Sequence, residues 1–472
     1  MKLKKNVCLA LSLLAFCACT SEDSTLNLSK DSFQAGSIPV VYTIDTISST
    51  ADLAKKIALE FPKQSATRST ADKEIKEMLT INDDNGTPAM YVINYRHNEG
   101  FIITSATQDY SPVLAYSDDG NFDVNNTEDQ PIDVWIEQEK TNITAAQEAA
   151  DSIKLKFRAQ WLPYVLKPTS LSEITTKGSY TEVQDFIIEN SREWTSQGYR
   201  PIALGAFKSQ YYSYYVTENV CNAIVNEAER MGTDEYGGVL RTSFVLVKES
   251  DRVTNIEPLT TARWDQGYGF NTYIPNNYPV GCVAVAVGQI MKYWRYPTSF
   301  NWNQITDKAS DATANFLYNV AKACNIDFKP GGSEAYDSDA VKALRDYGYT
   351  NAKVVNHDVK NAISNISAKR PIYMSGSRLK SDGTYVGHAW ACDGLRHTIS
   401  GYEIVIKILQ DKTTFYSYTI GKVYNEAYPS TYLHMNWGYS GSNNAFYNDN
   451  NIALSNGRDY KYNRKDIINI YH

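Results

Sequence analysis

The strongest chemical signal in this 472-residue sequence is an ordered trio: Cys282, then His388, then Asn436. The run after the cysteine begins Val283-Ala284-Val285-Ala286-Val287-Gly288 and is small and apolar on every side, which predicts a buried helix. A cysteine in the first turn of such a helix meets unpaired N–H groups and the positive end of the helix dipole, and both favour thiolate over thiol. Alone, Cys282 reads as a buried structural thiol, which is what a lone cysteine usually is. His388 lies in an alternating segment, Val386 to Gly394, that predicts a strand. A strand holds an imidazole rigidly enough to serve as a base, or simply to pair with a backbone group. Asn436 ends a third apolar run, Leu433-His434-Met435, and leads into a glycine-bearing loop, Gly438 to Gly441. Together the three are more specific, because a thiol nucleophile needs a base and the base needs a partner that fixes its tautomer. Upstream, Gln266 offers a carboxamide that could complete an oxyanion hole with the Cys282 backbone N–H, or be a surface polar group.

Cys, His, Asn is the papain-like order. Elements must bring these residues together across about 150 positions, and the composition allows it. Hydrophobic residues make up 43% and charged residues 21%, so a disordered or fibrous chain is excluded. The net charge of −7, without a basic run beyond the first residues, argues against a nucleic-acid partner. Four widely spaced cysteines in the body, Cys221, Cys282, Cys324 and Cys392, contain no CxxC and so argue against a zinc site. They leave two disulfides or free thiols open.

Further elements precede the trio. Ala51 to Phe61 places Leu53, Ile57 and Phe61 on one helical face, and Met90–Tyr95 with Phe101–Ser105 predicts a hairpin. Pro112 to Tyr116 reads as a strand and Pro131 to Trp161 as helical. This small α+β unit holds one histidine, His97, in a turn. The stretch from Lys167 to Thr260, with a helix at Val216–Met231 and a strand at Thr242–Val247, reads as linker, insertion or the start of another unit.

The first residues read as an address. Lys2, Lys4 and Lys5 precede an apolar stretch, Val7 to Ala18, too short to span a bilayer, and Ala18-Cys19 resembles a bacterial lipobox with Cys19 acylated. An ordinary signal peptide cut near Ala18 is the alternative. The acidic Ser21-Glu22-Asp23 resembles a surface-export signal.

The motifs resemble the streptopain-like C10 family of cysteine peptidases. They are Trp264-Asp265-Gln266-Gly267-Tyr268, Gly281-Cys282-Val283-Ala284, Gln289-Ile290-Met291-Lys292-Tyr293, Tyr296-Pro297 and Phe300-Asn301-Trp302-Asn303. Arg370-Pro371-Ile372-Tyr373, Gly387-His388-Ala389 and Asn436-Trp437-Gly438-Tyr439-Ser440-Gly441 follow in family order. The resemblance implies Cys282 as nucleophile, His388 as general base and acid, and Asn436 as the orienter of His388. It implies Gln266 as oxyanion donor and Trp437 as the ring covering the His–Asn hydrogen bond. Tyr439 and Ser440 stand where the family has tryptophan and glycine. Gly100-Phe101-Ile102-Ile103-Thr104-Ser105, Ser111-Pro112-Val113-Leu114-Ala115-Tyr116-Ser117 and Gly120-Asn121-Phe122-Asp123 resemble the family's Spi-type inhibitory propeptide.

The expected fold is therefore α+β: a signal segment (1–18), a propeptide domain (24–165), a linker or insertion (166–257) and a papain-like peptidase domain (258–472). The expected activity is zymogen-controlled hydrolysis of peptide bonds in proteins, without cofactor or metal, by an exported lipoprotein held at the outer membrane or cell surface. Acyl transfer to an amine, or a non-catalytic surface lipoprotein binding protein or glycan, are the rival readings.

Overall fold

Apolar alternation and helical periodicity become elements throughout most of the chain. The computed structural model describes residues 40–44, 49–64, 73–124, 131–170, 181–211, 215, 218–231, 243–379, 385–411, 414–424, 429–449 and 464–472. The leader and Cys19 lie outside the described residues. The N-terminal elements are β1 (Val40–Ile44), α1 (Thr50–Gln64), β2 (Ile75–Asn82), β3 (Pro88–Tyr95), β4 (Phe101–Ser105), β5 (Val113–Ser117), α2 (Pro131–Gln147), α3 (Asp151–Val165) and β6 (Leu166–Ser170). The middle contributes α4 (Thr181–Ser196), β7 (Arg200–Ala203), α5 (Glu218–Met231), β8 (Phe244–Glu249) and β9 (Arg252–Ile256). The last part holds α6 (Cys282–Trp294), α7 (Asp311–Ala323), α8 (Asp337–Asp346), β10 (Lys353–Asn356), α9 (Val359–Ser367), β11 (Ile372–Leu379) and β12 (Tyr385–Ile399). It closes with β13 (Gly401–Asp411), β14 (Thr414–Tyr424), β15 (Ser430–Asn436), β16 (Ala445–Asn448) and β17 (Lys465–Ile468).

The α+β class holds, with two differences from the sequence reading. The helical stretch from Pro131 is two helices, α2 and α3, broken between residues 147 and 151. The described residues between 166 and 257 form helices and strands, which removes the linker from the readings left open. There β6 pairs with β1, while β7 and β8 extend the β13–β14 hairpin into a four-stranded sheet. Its core joins Ile224 of α5 and Val245 of β8 to Ile406 of β13, and also to Leu53 and Ile57 of α1 and to Trp161 of α3.

One sheet runs through both ends of the chain, in the order β10-β17-β11-β12-β15-β16-β5-β4-β3-β2, with β9 added on β12. The seam between the N-terminal and C-terminal parts is the antiparallel β5–β16 pair, with Phe446 opposite Tyr116 and Tyr447 opposite Ala115. Their rings follow the pairing: Tyr116 stacks on Phe446 at 5.4 Å between centroids.

Two layers cover this sheet. On one face α6 packs against Tyr373, Ala389 and Ala391, with α7 and α8 behind it. Every residue from Val283 to Met291 is buried, as its all-round apolar pattern demands. Gly288 permits the close approach, since a Cβ there would stand 3.0 Å from Leu317 Cδ2. On the other face α2 presses Ile132, Trp135, Ile136 and Ile143 against Met374, Trp390 and Met435. Each such side chain contributes roughly 1.5–3 kcal/mol on burial, so α2 is a principal clamp. Among the described residues, no helix is long and apolar enough to cross a membrane.

Candidate active site

Cys282 opens α6 and is half-buried. The turn before it is fixed on three sides. Val280 N–H donates to the Gln266 carbonyl (2.9 Å), and Ser333 Oγ donates to the Pro279 carbonyl (2.6 Å). Gly281 takes φ +96°, a left-handed conformation suited to glycine. A Cβ there would meet Ile326 Cδ1 at 3.1 Å. The Val280–Gln266 bond places Gln266 beside the start of α6, half-buried, where its carboxamide is suited to meet an anion.

His388 sits near the beginning of β12, opposite Gly376 of β11. Its Nε2 lies 3.0 Å from the Trp437 carbonyl oxygen. A carbonyl only accepts, so Nε2 carries the proton and Nδ1 is left with the free lone pair. Trp390, Trp437 and Tyr439 surround the imidazole at centroid distances of 6.2, 6.5 and 6.2 Å. Trp437 is itself held by an Nε1–H bond to the Asn443 carbonyl (3.0 Å).

Asn436 does not orient His388 here, contrary to the expectation from chain order. Its Nδ2 donates to the Ala262 carbonyl (2.8 Å), and its Oδ1 accepts from Gln289 Nε2 (3.0 Å). The reason is register. Asn436 stands opposite Ala391, so it shares a sheet face with Ala391 and Ala389, the α6 face. His388 is displaced from Ala391 by an odd number of positions and faces the α2 side with Trp390. In this resting arrangement the partner of His388 is the Trp437 carbonyl, and the Trp437 ring neighbours the imidazole rather than covering a His–Asn bond. Gln289, which the chemical reading gave no part, is the side chain that holds Asn436. It is a fully buried amide inside an otherwise apolar helix, and that anomaly was its signal.

The loop after Asn436 is bound to the Gln266 segment. Ser440 N–H donates to the Trp264 carbonyl (3.0 Å), and Ser440 Oγ donates to Asp265 Oδ2 (2.8 Å). Asp265 Oδ1 accepts from Gly267 N–H (3.0 Å). Gly438 (φ +74°) lets the loop pass over α6, for a Cβ would lie 2.9 Å from Val285 Cγ1.

Electrostatics describe a resting site. Burial pushes the Cys282 thiol up, the Ala389 amide facing the sulfur pulls partly the other way, and Asp337's carboxylate adds to the rise. Burial pushes His388 down to about 4, offset only partly by the Trp437 carbonyl. At neutral pH the pair is therefore thiol and neutral imidazole. Among the described residues, no hydrogen bond joins Cys282 to His388, although the thiol faces the amide of the very next residue. All four body cysteines are free thiols.

A thiol at the start of a buried helix, an imidazole on the adjoining sheet and an N-terminal segment paired across that sheet are the parts that a cysteine peptidase and its propeptide would supply. Residues 47–143 match the Spi protease inhibitor family, and residues 264–305 and 298–447 match the peptidase C10 family. The Spi-inhibitor match thus lies ahead of the peptidase C10 match along the chain, the order of a propeptide before its peptidase. It is 26% identical over 232 residues to the thiol protease/hemagglutinin PrtT of Porphyromonas gingivalis. That alignment covers 39% of this chain and 22% of the relative, so the chain spans under a quarter of that protein's length. Among solved structures it is similar to prointerpain A of Prevotella intermedia, at 14% identity and a TM-score of 0.41, covering 85% of this chain and 99% of that one. It is also similar to the active wild-type interpain A protease of the same organism, at 20% identity and a TM-score of 0.34 (46% and 96% covered).

Proposed function

We propose that this chain is a cysteine endopeptidase of protein substrates, made as a zymogen and exported as a lipoprotein acylated on Cys19. The observation that carries the catalytic reading is the Nε2–H bond from His388 to the Trp437 carbonyl. It leaves Nδ1 as the basic atom, one residue from the amide that faces the Cys282 sulfur. The propeptide holds α2 over the His388 face and β5 against β16. Catalysis then requires the imidazole, freed by the departure of the propeptide, to swing round until Nδ1 meets the thiol.

Nδ1 then takes the Cys282 proton, and the thiolate attacks the substrate carbonyl carbon. The Cys282 N–H and the Gln266 carboxamide hold the oxyanion. As the C–N bond breaks, the imidazolium returns its proton to the leaving amine, which gives a thioester and a free amine. Water then attacks the thioester with its proton passing to His388, and cleavage of the C–S bond releases the acid and restores the thiol. The lipid anchor rests on the basic start, short apolar run and Ala18-Cys19 pair, since acyl chains supply membrane affinity without a spanning helix.

The test is labelling with an iodoacetamide-type probe, with the modified residue located by mass spectrometry and hydrolysis of a protein substrate followed in parallel. Labelling at Cys282 that rises together with hydrolysis as the propeptide is lost is the expected result. Undiminished hydrolysis by a pure Cys282→Ala sample would overturn the reading.

A further inference from the structure

Beside Gln266 the surface carries a groove of about 460 Å³ whose lining includes Arg263, Tyr268, Phe270, Asp307, Lys308 and Ser440. It adjoins the machinery at both ends, since Tyr268 lies two residues past Gln266 and Ser440 belongs to the loop that follows Trp437. Tyr268 is 88% exposed and forms one wall of this groove.

Arg263 is aimed at this groove by a rigid segment. Its neighbours Ala262 and Trp264 are both fully buried, and Ala262's carbonyl takes the Asn436 and Gln289 amides. Trp264 Nε1 donates to the Thr306 carbonyl (2.9 Å). Gly441 clears space for the arginine stem, because a Cβ there would stand 2.9 Å from Arg263 Cδ. In the unprocessed chain the guanidinium is occupied by the propeptide: Arg263 Nη2 donates to Asp119 Oδ2 at 2.8 Å. Asp119 comes from the turn after β5, the strand that forms the seam. When the propeptide leaves, that carboxylate leaves with it. The groove then holds two cations, Arg263 and Lys308, against one carboxylate, Asp307.

We propose that Arg263 and Lys308 form a carboxylate-reading subsite of the active cleft, filled by an acidic residue of the peptide substrate, with the Arg263 guanidinium engaged before processing by Asp119. The assignment rests on the peptidase reading above, and it adds a preference that the catalytic residues do not specify. Arg263 is here a specificity residue that touches substrate away from the reacting atoms. Exposed ion pairs are modest, so the expected preference is about fivefold, and it should weaken as salt rises.

The experiment uses the processed chain and one neutral peptide that it cleaves, with Asp or Asn scanned through three positions on each side of the scissile bond. Paired peptides ending in a free acid or an amide separate side-chain from chain-end carboxylates. Expected is an Asp-over-Asn preference of about fivefold in kcat/KM at one position, carried by KM, lost in Arg263→Gln and partly kept in Arg263→Lys. A preference tied to the free chain end supports the subsite with the other source. Equal rates for Asp and Asn everywhere, or an unchanged preference in Arg263→Gln, overturn it. Binding of the Asp and Asn peptides to processed chain alkylated at Cys282, read by fluorescence anisotropy, tests the subsite independently of turnover. Failure to hydrolyse any peptide counts against the peptidase reading alone, while equal binding of the Asp and Asn peptides counts against this subsite.

Discussion

Replacing Glu139 with glutamine should remove much of the pH dependence with which the propeptide grips the peptidase. Glu139 lies on α2 and is only 4% exposed. Its Oε1 accepts from Asn142 Nδ2 at 3.2 Å, and it faces the Tyr110 hydroxyl together with Asp449 and Arg464 of the peptidase. Burial raises its carboxyl from 4.5 to about 8, with Asp449 adding to the rise and Tyr110, Asn142 and Arg464 opposing it. A raised value means that the docked state favours the proton. Its contribution to docking is full below about 4.5 and is lost as pH climbs to about 8. Each pH unit inside that window is worth about 1.4 kcal/mol. Going from pH 6 to pH 9 therefore loosens docking by roughly 2–3 kcal/mol, on the order of 100-fold. His357, buried between Asp449 and Asp466 and likewise raised, belongs with both partners to the C-terminal part, so its titration bears on the stability of that part rather than on docking. The assay is hydrogen exchange across α2 in the full chain carrying Cys282→Ala, which blocks self-processing, with and without Glu139→Gln. Protection of α2, corrected for intrinsic exchange, should fall steeply with pH in the first chain and only shallowly in the second. Equal slopes in the two chains would refute the reasoning.

Other expectations are as specific. Cys282→Ala should abolish hydrolysis. Asn436→Ala should lower the melting temperature, through about 1–3 kcal/mol of lost buried hydrogen bonds, while leaving the pH profile of kcat/KM in place, because the His388 partner is the Trp437 backbone; a displaced profile would restore Asn436 as orienter. Gly438→Ala forces a side chain into a left-handed φ and against Val285, and should destabilise by about 1–3 kcal/mol in urea titrations while reducing kcat. Cys19→Ala should shift the protein from the membrane fraction to the soluble fraction, and full retention on membranes in high salt would rule out the anchor.

Local pattern made several parts readable from the sequence. The all-round apolar run after Cys282 forms a buried helix, and the alternating residues around Met90 and Phe101 form paired strands. The α2–α3 break was not readable, because Ala149 and Ala150 are good helix formers and local propensity does not interrupt there. The middle region resisted for a different reason. Its strand β8 finds its partner, β13, about 150 residues later, and pairings over that distance leave little local trace. The partner of His388 failed on parity. Chain order places Cys, His and Asn in sequence, but only the register of β12 against β15 tells which side chains share a face.

The seam between β5 and β16 gives activation a clock. If the propeptide were tied on only by its peptide linkage, one cut would switch the enzyme on. Here a cut chain remains stitched by backbone hydrogen bonds along the sheet, by stacked aromatic rings and by α2. Scission and onset of activity become separate events, and the second is a first-order dissociation whose rate does not depend on how much protease is present. Progress curves begun at complete cleavage should then show a lag that dilution does not lengthen. What leaves the seam also uncovers the unpaired edge of a short strand, Ala445–Asn448, directly beyond the loop that carries Trp437. Loss of that pairing leaves the backbone donors and acceptors of Phe446 and Tyr447 to water.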